Sequence, residues 1–142
     1  MDWEQCLEGN VSKRRPDLEE AAALLKMAGR REAYISAAKR TKEFTPLVVE
    51  AYYEIAKELI TGIMAADGYK SYSHECLITF AEKFCGLPKG RVVLLDQLRK
   101  IRNEINYRGA SVDPSYLERN ETEIGATIAA LKALLRKRLP RQ

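Results

Sequence analysis

The polar side chains best suited to chemistry in this chain are concentrated in one short stretch, Leu98–Gly109. Within it, Arg102, Asn103, Asn106 and Tyr107 fall within two turns of a helix otherwise built from leucine and isoleucine. An arginine guanidinium is a forked donor that suits phosphate, and an asparagine amide can orient a ligand group without being ionised. These residue types place the candidate functional site of the chain here.

The helix that carries these residues sets the direction in which each one points. At about 100° per residue, Arg102 lies on the shoulder between the apolar face and solvent, and Asn106 lies further round on the same side. Asn103 and Tyr107 point nearly opposite the apolar face, one turn apart, where they can meet a ligand or a second subunit. The apolar face itself consists of Leu94, Leu98, Ile101 and Ile105.

The single histidine, His74, is the second candidate for chemistry. It lies in the helix entrance Ser71–Glu75, and an imidazole can titrate near neutral pH. Both candidates have a plainer structural interpretation. His74 could simply hydrogen-bond the preceding loop, and Arg102 could form an ordinary surface ion pair with Glu75 or Glu54.

Aromatic residues offer a further route to nucleic-acid binding. Tyr52, Tyr53, Tyr69 and Tyr72, with Lys70 between them, could stack on bases. Because Tyr52 falls on the apolar stripe of its helix, we expect it to pack in the core.

The composition favours one folded, mildly basic domain. The 142 residues are 46% hydrophobic and 31% charged, which suits a globular protein better than a disordered one, and the net charge is +4. Such a surplus permits nucleic-acid binding without requiring it. We interpret each basic cluster first as a solvated helix end, since a common basic surface would require the clusters to converge in the fold. The clusters are Lys13–Arg15, Arg30-Arg31, Lys39-Arg40, and Arg136–Arg138 with Arg141.

The cysteines and the N-terminus indicate a cytoplasmic protein without a metal or a cofactor. Cys6, Cys76 and Cys85 are an odd number without close pairing, so reduced thiols are the simpler prediction. One histidine and no Cys-x-x-Cys argue against a zinc site. The first residues lack the basic and apolar runs of a signal peptide, and no apolar run is long enough to span a membrane.

Periodicity and capping residues predict an all-α fold. The first two helices are expected from Pro16 to about Lys39 and from a Thr45 cap to Asp67. A third should run from Ser71 or Ser73 to about Cys85. The fourth should end at Gly109, and the fifth should begin at Asp113. Short connections favour an antiparallel up-and-down four-helix bundle with an additional helix. The first fifteen residues are expected to hold a short helical turn around Trp3 to Leu7 or to be loose.

Several of these segments together resemble HEPN proteins, above all the small stand-alone prokaryotic and archaeal members. The resemblance covers roughly residues 16–138, and its most distinctive part lies in the fourth of these helices. The segments that carry it are the helix order, Ala51–Leu59 followed by Gly68–Lys70, Ser73-His74, and Arg102-Asn103-x-x-x-Tyr107.

The resemblance implies a homodimer of four-helix cores, each with an additional helix. Active HEPN proteins are metal-independent ribonucleases in which an arginine, a following polar residue and a histidine a few positions later converge from two subunits. Here Arg102 would hold the phosphate and Asn103 would orient it, but Tyr107 stands in the position of the histidine. An unperturbed tyrosine has a pKa of about 10 and is a poor base for a 2′-hydroxyl. We therefore expect weak nuclease activity or none.

The same resemblance implies partners. HEPN proteins often occur with a minimal nucleotidyltransferase in toxin–antitoxin pairs, so we expect a dimer that binds RNA or a nucleotide within such a system. The binding candidates are Arg102, Asn103, Asn106, Arg108 and His74. Two alternatives stay open: an active ribonuclease in which Tyr107 or His74 replaces the histidine, and a structural dimer or adaptor that meets a protein.

Overall fold

Helices, including a 3-10 turn, make up 77% of the residues that the computed structural model describes, which confirms the all-α prediction. The structure describes residues 1–38 and 40–140. Lys39 and Arg141, which belong to two of the basic clusters, and Gln142 lie outside the described residues. The helices are α1 (Trp3–Leu7), α2 (Leu18–Ala37), α3 (Thr45–Asp67), α4 (His74–Phe84), α5 (Lys89–Arg108) and α6 (Pro114–Arg138), and a 3-10 turn (Lys42–Phe44) precedes α3.

The ends of α4, α5 and α6 show the expected capping chemistry, whereas α2 begins at Leu18 rather than at Pro16, because Asp17 is its N-cap and not part of its first turn. The side chains of Asp17, Ser73 and Asp113 each accept a hydrogen bond from a backbone N–H in the first turn of their helix. Gly109 ends α5 in the left-handed conformation. The prediction that Thr45 caps α3 is wrong, because the helix already includes Thr45 and no side chain caps it.

α3 lies at the centre of the bundle and packs against α2, α4, α5 and α6. α2 and α5 run antiparallel to α3, whereas α6 runs parallel to it, so α2, α3, α5 and α6 alternate in direction along the chain. α4 packs against both α3 and α5. The contacts that fix these directions are Arg31–Glu58 and Asp17–Ala65 for α2, Arg102–Glu54 and Asn106–Glu50 for α5, and Tyr52–Glu121 and Asp67–Arg138 for α6.

The buried surface of α3 is wider than its sequence stripe indicates, because other helices cover it on several sides. Tyr53 is 1% exposed and belongs to the core. Tyr52 is only half-buried, and its hydroxyl donates to the Glu121 carboxylate. The expectation that Tyr52 packs in the core is therefore corrected, and Tyr53 is not free to stack on a base.

The first fifteen residues are fastened to the bundle rather than loose. After α1, strand β1 (Val11–Lys13) pairs antiparallel with β2 (Tyr69–Ser71). Trp3 packs against the rings of Tyr69 and Phe84, with centroids 5.3 and 5.2 Å from its own. The short helical turn is confirmed. The two-stranded ribbon is absent from the sequence prediction, because each strand has only three residues.

The cysteine prediction is wrong for two of the three residues. Cys6 of α1 and Cys76 of α4 form a disulfide with a Cα–Cα distance of 5.8 Å. Cys85 is a buried free thiol, and burial raises its pKa to about 11. Packing of α1 on α4 brings Cys6 and Cys76 together across 70 residues of sequence. Because disulfides are typical of oxidising compartments, the cysteines no longer argue for a cytosolic location.

Candidate functional site

The guanidinium of Arg102 lies between α5 and α3 and is largely covered. Its central carbon is 6.0 Å from the centre of the Tyr53 ring, a cation–π arrangement. Its Nε lies 3.5 Å from a carboxylate oxygen of Glu54, so Glu54, rather than Glu75, provides the ion pair that the plainer interpretation expected. The Arg102 side chain is 19% exposed. A ligand would therefore meet only one edge of it.

Both asparagines of the motif hold this guanidinium in place. With its amide turned so that its neighbours are satisfied, Asn106 accepts a hydrogen bond from Arg102 Nε at 2.9 Å and donates to Glu50. The side-chain oxygen of Asn103 accepts a long hydrogen bond from Arg102 Nη1 at 3.5 Å. Within the described residues, Arg102 Nη2 has no hydrogen-bond partner. That nitrogen is the donor that remains for an anion.

His74 is joined to the same place through Tyr53. The Tyr53 hydroxyl and His74 Nδ1 are 2.8 Å apart, and the two rings stack at 5.9 Å with an angle of 17°. Burial raises the pKa of Tyr53 to about 12, so its hydroxyl stays protonated. The hydroxyl donates to Nδ1 when His74 carries its proton on Nε2, and it accepts from Nδ1 in the other neutral tautomer.

The charge state of His74 follows from its surroundings. Burial is the largest influence and lowers the pKa of His74 from 6.5, and the positive charges of Arg102 and Lys57 lower it further. The carboxylate of Glu54 acts in the opposite direction but does not outweigh them. His74 is consequently a neutral hydrogen-bond donor at pH 7.

The structure thus unites residues that the sequence offered separately. We call Tyr53, Glu54, His74, Arg102 and Asn106 the Arg102 cluster. Arg102, Asn106 and His74 are site residues predicted from sequence, and Glu54 is a predicted ion-pair partner of Arg102. Tyr53 had no predicted role between the histidine and the arginine, although that tyrosine connects them. The only sequence signal for this role was that Tyr53 immediately precedes Glu54.

Tyr107 and Arg108 lie apart from this cluster in a single chain. The Tyr107 side chain is 79% exposed, and no hydrogen bond joins it to another residue of the described part. Arg108 pairs only with Glu104 on its own helix, at 3.7 Å, and both side chains are largely exposed. Asn106 is exposed as well, but its amide contacts Arg102 and Glu50, so Tyr107 and Arg108 are the predicted site residues that lie in solvent away from the cluster.

The second half of the apolar face of α5 is only partly covered. Leu94 and Leu98 are buried, but Ile101 and Ile105 remain partly exposed. They line an open groove of about 440 Å³ between the end of α5 and the start of α6, together with Val112. Apolar surface in such a groove is available to another molecule.

A proton titration of His74 tests the geometry of the cluster. We expect its pKa to lie below 6.5 and its neutral form to carry the proton on Nε2, because the site is buried, positively charged and hydrogen-bonded at Nδ1. ¹⁵N-edited NMR of the imidazole measures both, and the signal is unambiguous because the chain has one histidine.

The same titration has a consequence for stability. Since the folded protein binds this proton less readily than the unfolded chain, His74 contributes stability above pH 6.5 that is lost as the pH falls through its folded-state pKa. His74→Gln should remove this part of the pH dependence, and Tyr53→Phe should weaken the Nε2–H preference. A midpoint at or above 6.5 in the wild-type protein contradicts the described arrangement.

Two kinds of feature are missing from the described ranges. No group of three or more His, Cys, Asp or Glu side chains there is arranged to hold a metal ion. None of the helices in residues 1–38 and 40–140 combines the length and apolar character needed to cross a membrane.

Comparison with known proteins gives no family. No protein-family model matches the chain, and no curated protein or solved structure shows significant similarity to it. The function is therefore argued from the site and from the resemblance of its motif.

Proposed function

We propose that this chain is a HEPN-type dimer that binds RNA or a nucleotide at the Arg102 cluster and acts as the HEPN half of a toxin–antitoxin or related two-component system. The supporting observation is that Arg102 and His74, from different helices, both contact Tyr53. One presents a charged donor and the other a neutral imidazole. Donors gathered around one side chain suit a phosphate group.

Binding at this cluster depends on hydrogen-bond geometry more than on net charge. Glu54 and Glu50 lie on the α3 side and offset the charge of Arg102. Asn103 and Asn106 fix the guanidinium, so little side-chain entropy remains to be lost when a ligand binds. We therefore propose a selective site of modest affinity.

Catalysis is not part of the leading proposal. Cleavage of RNA without a metal needs a base to take the proton of the 2′-hydroxyl. In the Nε2–H tautomer of His74, the Tyr53 hydroxyl occupies Nδ1 and Nε2 is protonated, so neither nitrogen serves as that base. The second candidate, a metal-independent ribonuclease, is favoured by one observation: His74, the only histidine of the chain, lies at the cluster.

The partner subunit in this proposal meets the exposed end of α5. Ile101 and Ile105 are partly exposed beside the open groove, and Tyr107 stands out from the same helix. A second copy covering this surface would bring two Arg102 clusters towards each other. A structural dimer or adaptor would use the same surface without binding a nucleotide.

Arg102→Ala tests the proposed function. We expect the affinity for a short labelled ribonucleotide in EDTA to fall about tenfold or more, because a hydrogen bond to a charged group contributes roughly 1.5–3 kcal/mol. Lys100→Ala is the matched control, since Lys100 lies on the same helix, is 68% exposed and pairs with Asp96. Equilibrium binding followed by fluorescence anisotropy gives both constants.

Each outcome selects one function. Weaker binding in Arg102→Ala alone, without RNA cleavage by either protein, supports the binding proposal. Cleavage by the wild-type chain in EDTA that is lost in Arg102→Ala identifies a ribonuclease instead. If the wild-type chain binds no nucleotide and Arg102→Ala weakens the dimer, the chain is a structural dimer or adaptor.

A further inference from the structure

Two basic clusters from opposite ends of the chain converge at the end of α3. The backbone N–H of Arg14 donates to the carbonyl of Gly68 at 2.8 Å. Arg138 Nε donates to the carboxylate of Asp67 at 2.9 Å. Because Asp67 and Gly68 are neighbours, the segments Lys13–Arg15 and Arg136–Arg138 lie side by side. The convergence that sequence alone left open is present in the fold.

The acidic side chains nearest this junction are already engaged. Glu20 pairs with Arg14, and Asp67 pairs with Arg138. The Asp17 carboxylate accepts the backbone N–H at the start of α2. None of the exposed cations around them forms an ion pair with another residue of ranges 1–38 and 40–140. These cations are Lys13, Arg15, Lys70, Arg136 and Lys137.

An exposed aromatic ring adjoins these cations. Tyr72 is 66% exposed, and Lys70 Nζ lies 5.5 Å from the centre of its ring. The backbone N–H of Tyr72 donates to the backbone carbonyl of Asn10 at 2.7 Å. This hydrogen bond fixes the main chain at Tyr72, while the ring faces solvent. Lys70 and Tyr72 follow each other on one face of the β1–β2 ribbon, and Lys13, which pairs with Tyr69, lies at the Gly68 end of the ribbon on its other face. We call Lys13, Arg15, Lys70, Tyr72, Arg136 and Lys137 the end patch.

A groove leads away from the end patch between α2 and α6. It is open, has a volume of about 710 Å³, and has small apolar side chains in its wall. Lys26 and Arg136 line its sides, so its cationic residues extend those of the end patch. Positive charge along a groove is the arrangement that follows a nucleic-acid backbone.

The end patch adjoins the Arg102 cluster at one point, because Tyr72 is two residues from His74, whereas its basic residues lie around the far end of α3. The cluster contacts α3 at Glu54, whereas the end patch surrounds its last residue, Asp67. At 1.5 Å per residue, these positions are about 20 Å apart along the helix. A short ribonucleotide bound at Arg102 therefore does not reach the cations around Asp67.

We propose that the end patch binds single-stranded RNA, with the cations contacting successive phosphates and Tyr72 stacking on an unpaired base. Clustered unpaired cations supply the sequence-independent attraction to phosphate. The exposed ring favours a single strand, because the bases of a duplex are already stacked on one another. This binding goes beyond the proposed nucleotide site and holds whether or not Arg102 binds a ligand.

The test measures the affinity of a labelled oligouridine of about 12 nucleotides at several salt concentrations. In Lys13→Gln/Arg15→Gln we expect the slope of log affinity against log salt to shrink by about 1.4, since each phosphate contact on a single strand contributes about 0.7. Affinity at low salt should fall about tenfold. The control, Arg30→Gln/Lys42→Gln, removes the same charge from exposed positions outside the patch and should keep the wild-type slope.

Tyr72 provides an independent reading of base stacking. Tyr72→Ala should lower the affinity about tenfold, and Tyr72→Phe should retain it, because stacking needs the ring but not its hydroxyl. Equal losses in the patch and control variants overturn the proposal, as does wild-type affinity in Tyr72→Ala. The proposal is also overturned if Lys13→Gln/Arg15→Gln loses binding to phosphatidylserine vesicles but keeps its affinity for the oligouridine.

Failure of this proposal is distinguishable from failure of the proposed function. Arg102→Ala should bind the oligouridine through the end patch as the wild-type protein does, while its affinity for the short ribonucleotide falls. Loss of oligouridine binding in Arg102→Ala, with no effect of the patch variants, overturns the end patch and leaves the Arg102 cluster as the RNA site.

Discussion

Reduction of the Cys6–Cys76 disulfide is expected to lower the free energy of unfolding by about 4 kcal/mol, the largest effect of any single change considered for this chain. The two cysteines are 70 residues apart in sequence, so the bond restricts a long loop of the unfolded chain. It also joins α1, a helix of only five residues, to α4. Such a short helix has little stability of its own.

Urea unfolding curves of oxidised and reduced protein measure this effect. Because Cys6 and Cys76 are fully buried, reduction should be carried out in denaturant before refolding in reducing buffer. The control is Cys6→Ala/Cys76→Ala, in which the reductant should change nothing further. Cys85 is a free thiol in every case. Superimposed curves for oxidised and reduced wild-type protein would show that the disulfide does not stabilise the fold.

Gly68→Ala should destabilise the protein by about 3 kcal/mol, because the position excludes a side chain in two ways. Gly68 has φ +89°, in the left-handed region that favours glycine. A Cβ there would also lie 2.8 Å from the backbone oxygen of Arg14. Relief of that contact would displace the Arg14 segment and its hydrogen bond to Gly68.

Gly109→Ala is the matched comparison. Gly109 has φ +61°, but a Cβ there would meet nothing within 4 Å. It should cost only the conformational strain, about 1 kcal/mol. Thermal and urea unfolding of both variants gives the two values. Equal losses would mean that the close approach between Arg14 and Gly68 is not a constraint, and that strain alone accounts for both.

The helices could be predicted from sequence because their signals are local. A cap such as Asp17 or Ser73, a terminal glycine such as Gly109, and an apolar repeat each lie within a few residues of the helix they define. The apolar repeat of α6 is buried at Leu117, Ile124, Ile128, Leu131 and Leu135, and Tyr116 and Thr127 are buried in addition to it. An antiparallel bundle then follows from the short connections.

The features that sequence missed all depend on contacts between distant segments. Pairing of β1 with β2 and of Cys6 with Cys76 joins the first fifteen residues to segments far along the chain. The choice of Tyr53 rather than Tyr52 for the core depends on how many helices surround α3. Local periodicity carries no information about that number.

The candidate site was only half predictable for the same reason. Arg102, Asn103 and Asn106 stood out because they lie within two turns of one helix. His74 was recognised as the only histidine, but its position beside Arg102 depends on Tyr53 in the centre of the bundle. Tyr107 has the same spacing and was expected to point away from the apolar face, and in a single chain it lies in solvent.

Trp3 gives the chain an internal reporter of how its first segment is attached. It is the only tryptophan, it is 7% exposed, and its ring contacts the ribbon and α4 rather than the centre of the bundle. Its fluorescence therefore follows the docking of the N-terminal segment, whereas far-ultraviolet circular dichroism follows the long helices. The difference between the unfolding midpoints from fluorescence and from circular dichroism shows whether the N-terminal segment unfolds as a separate cooperative unit.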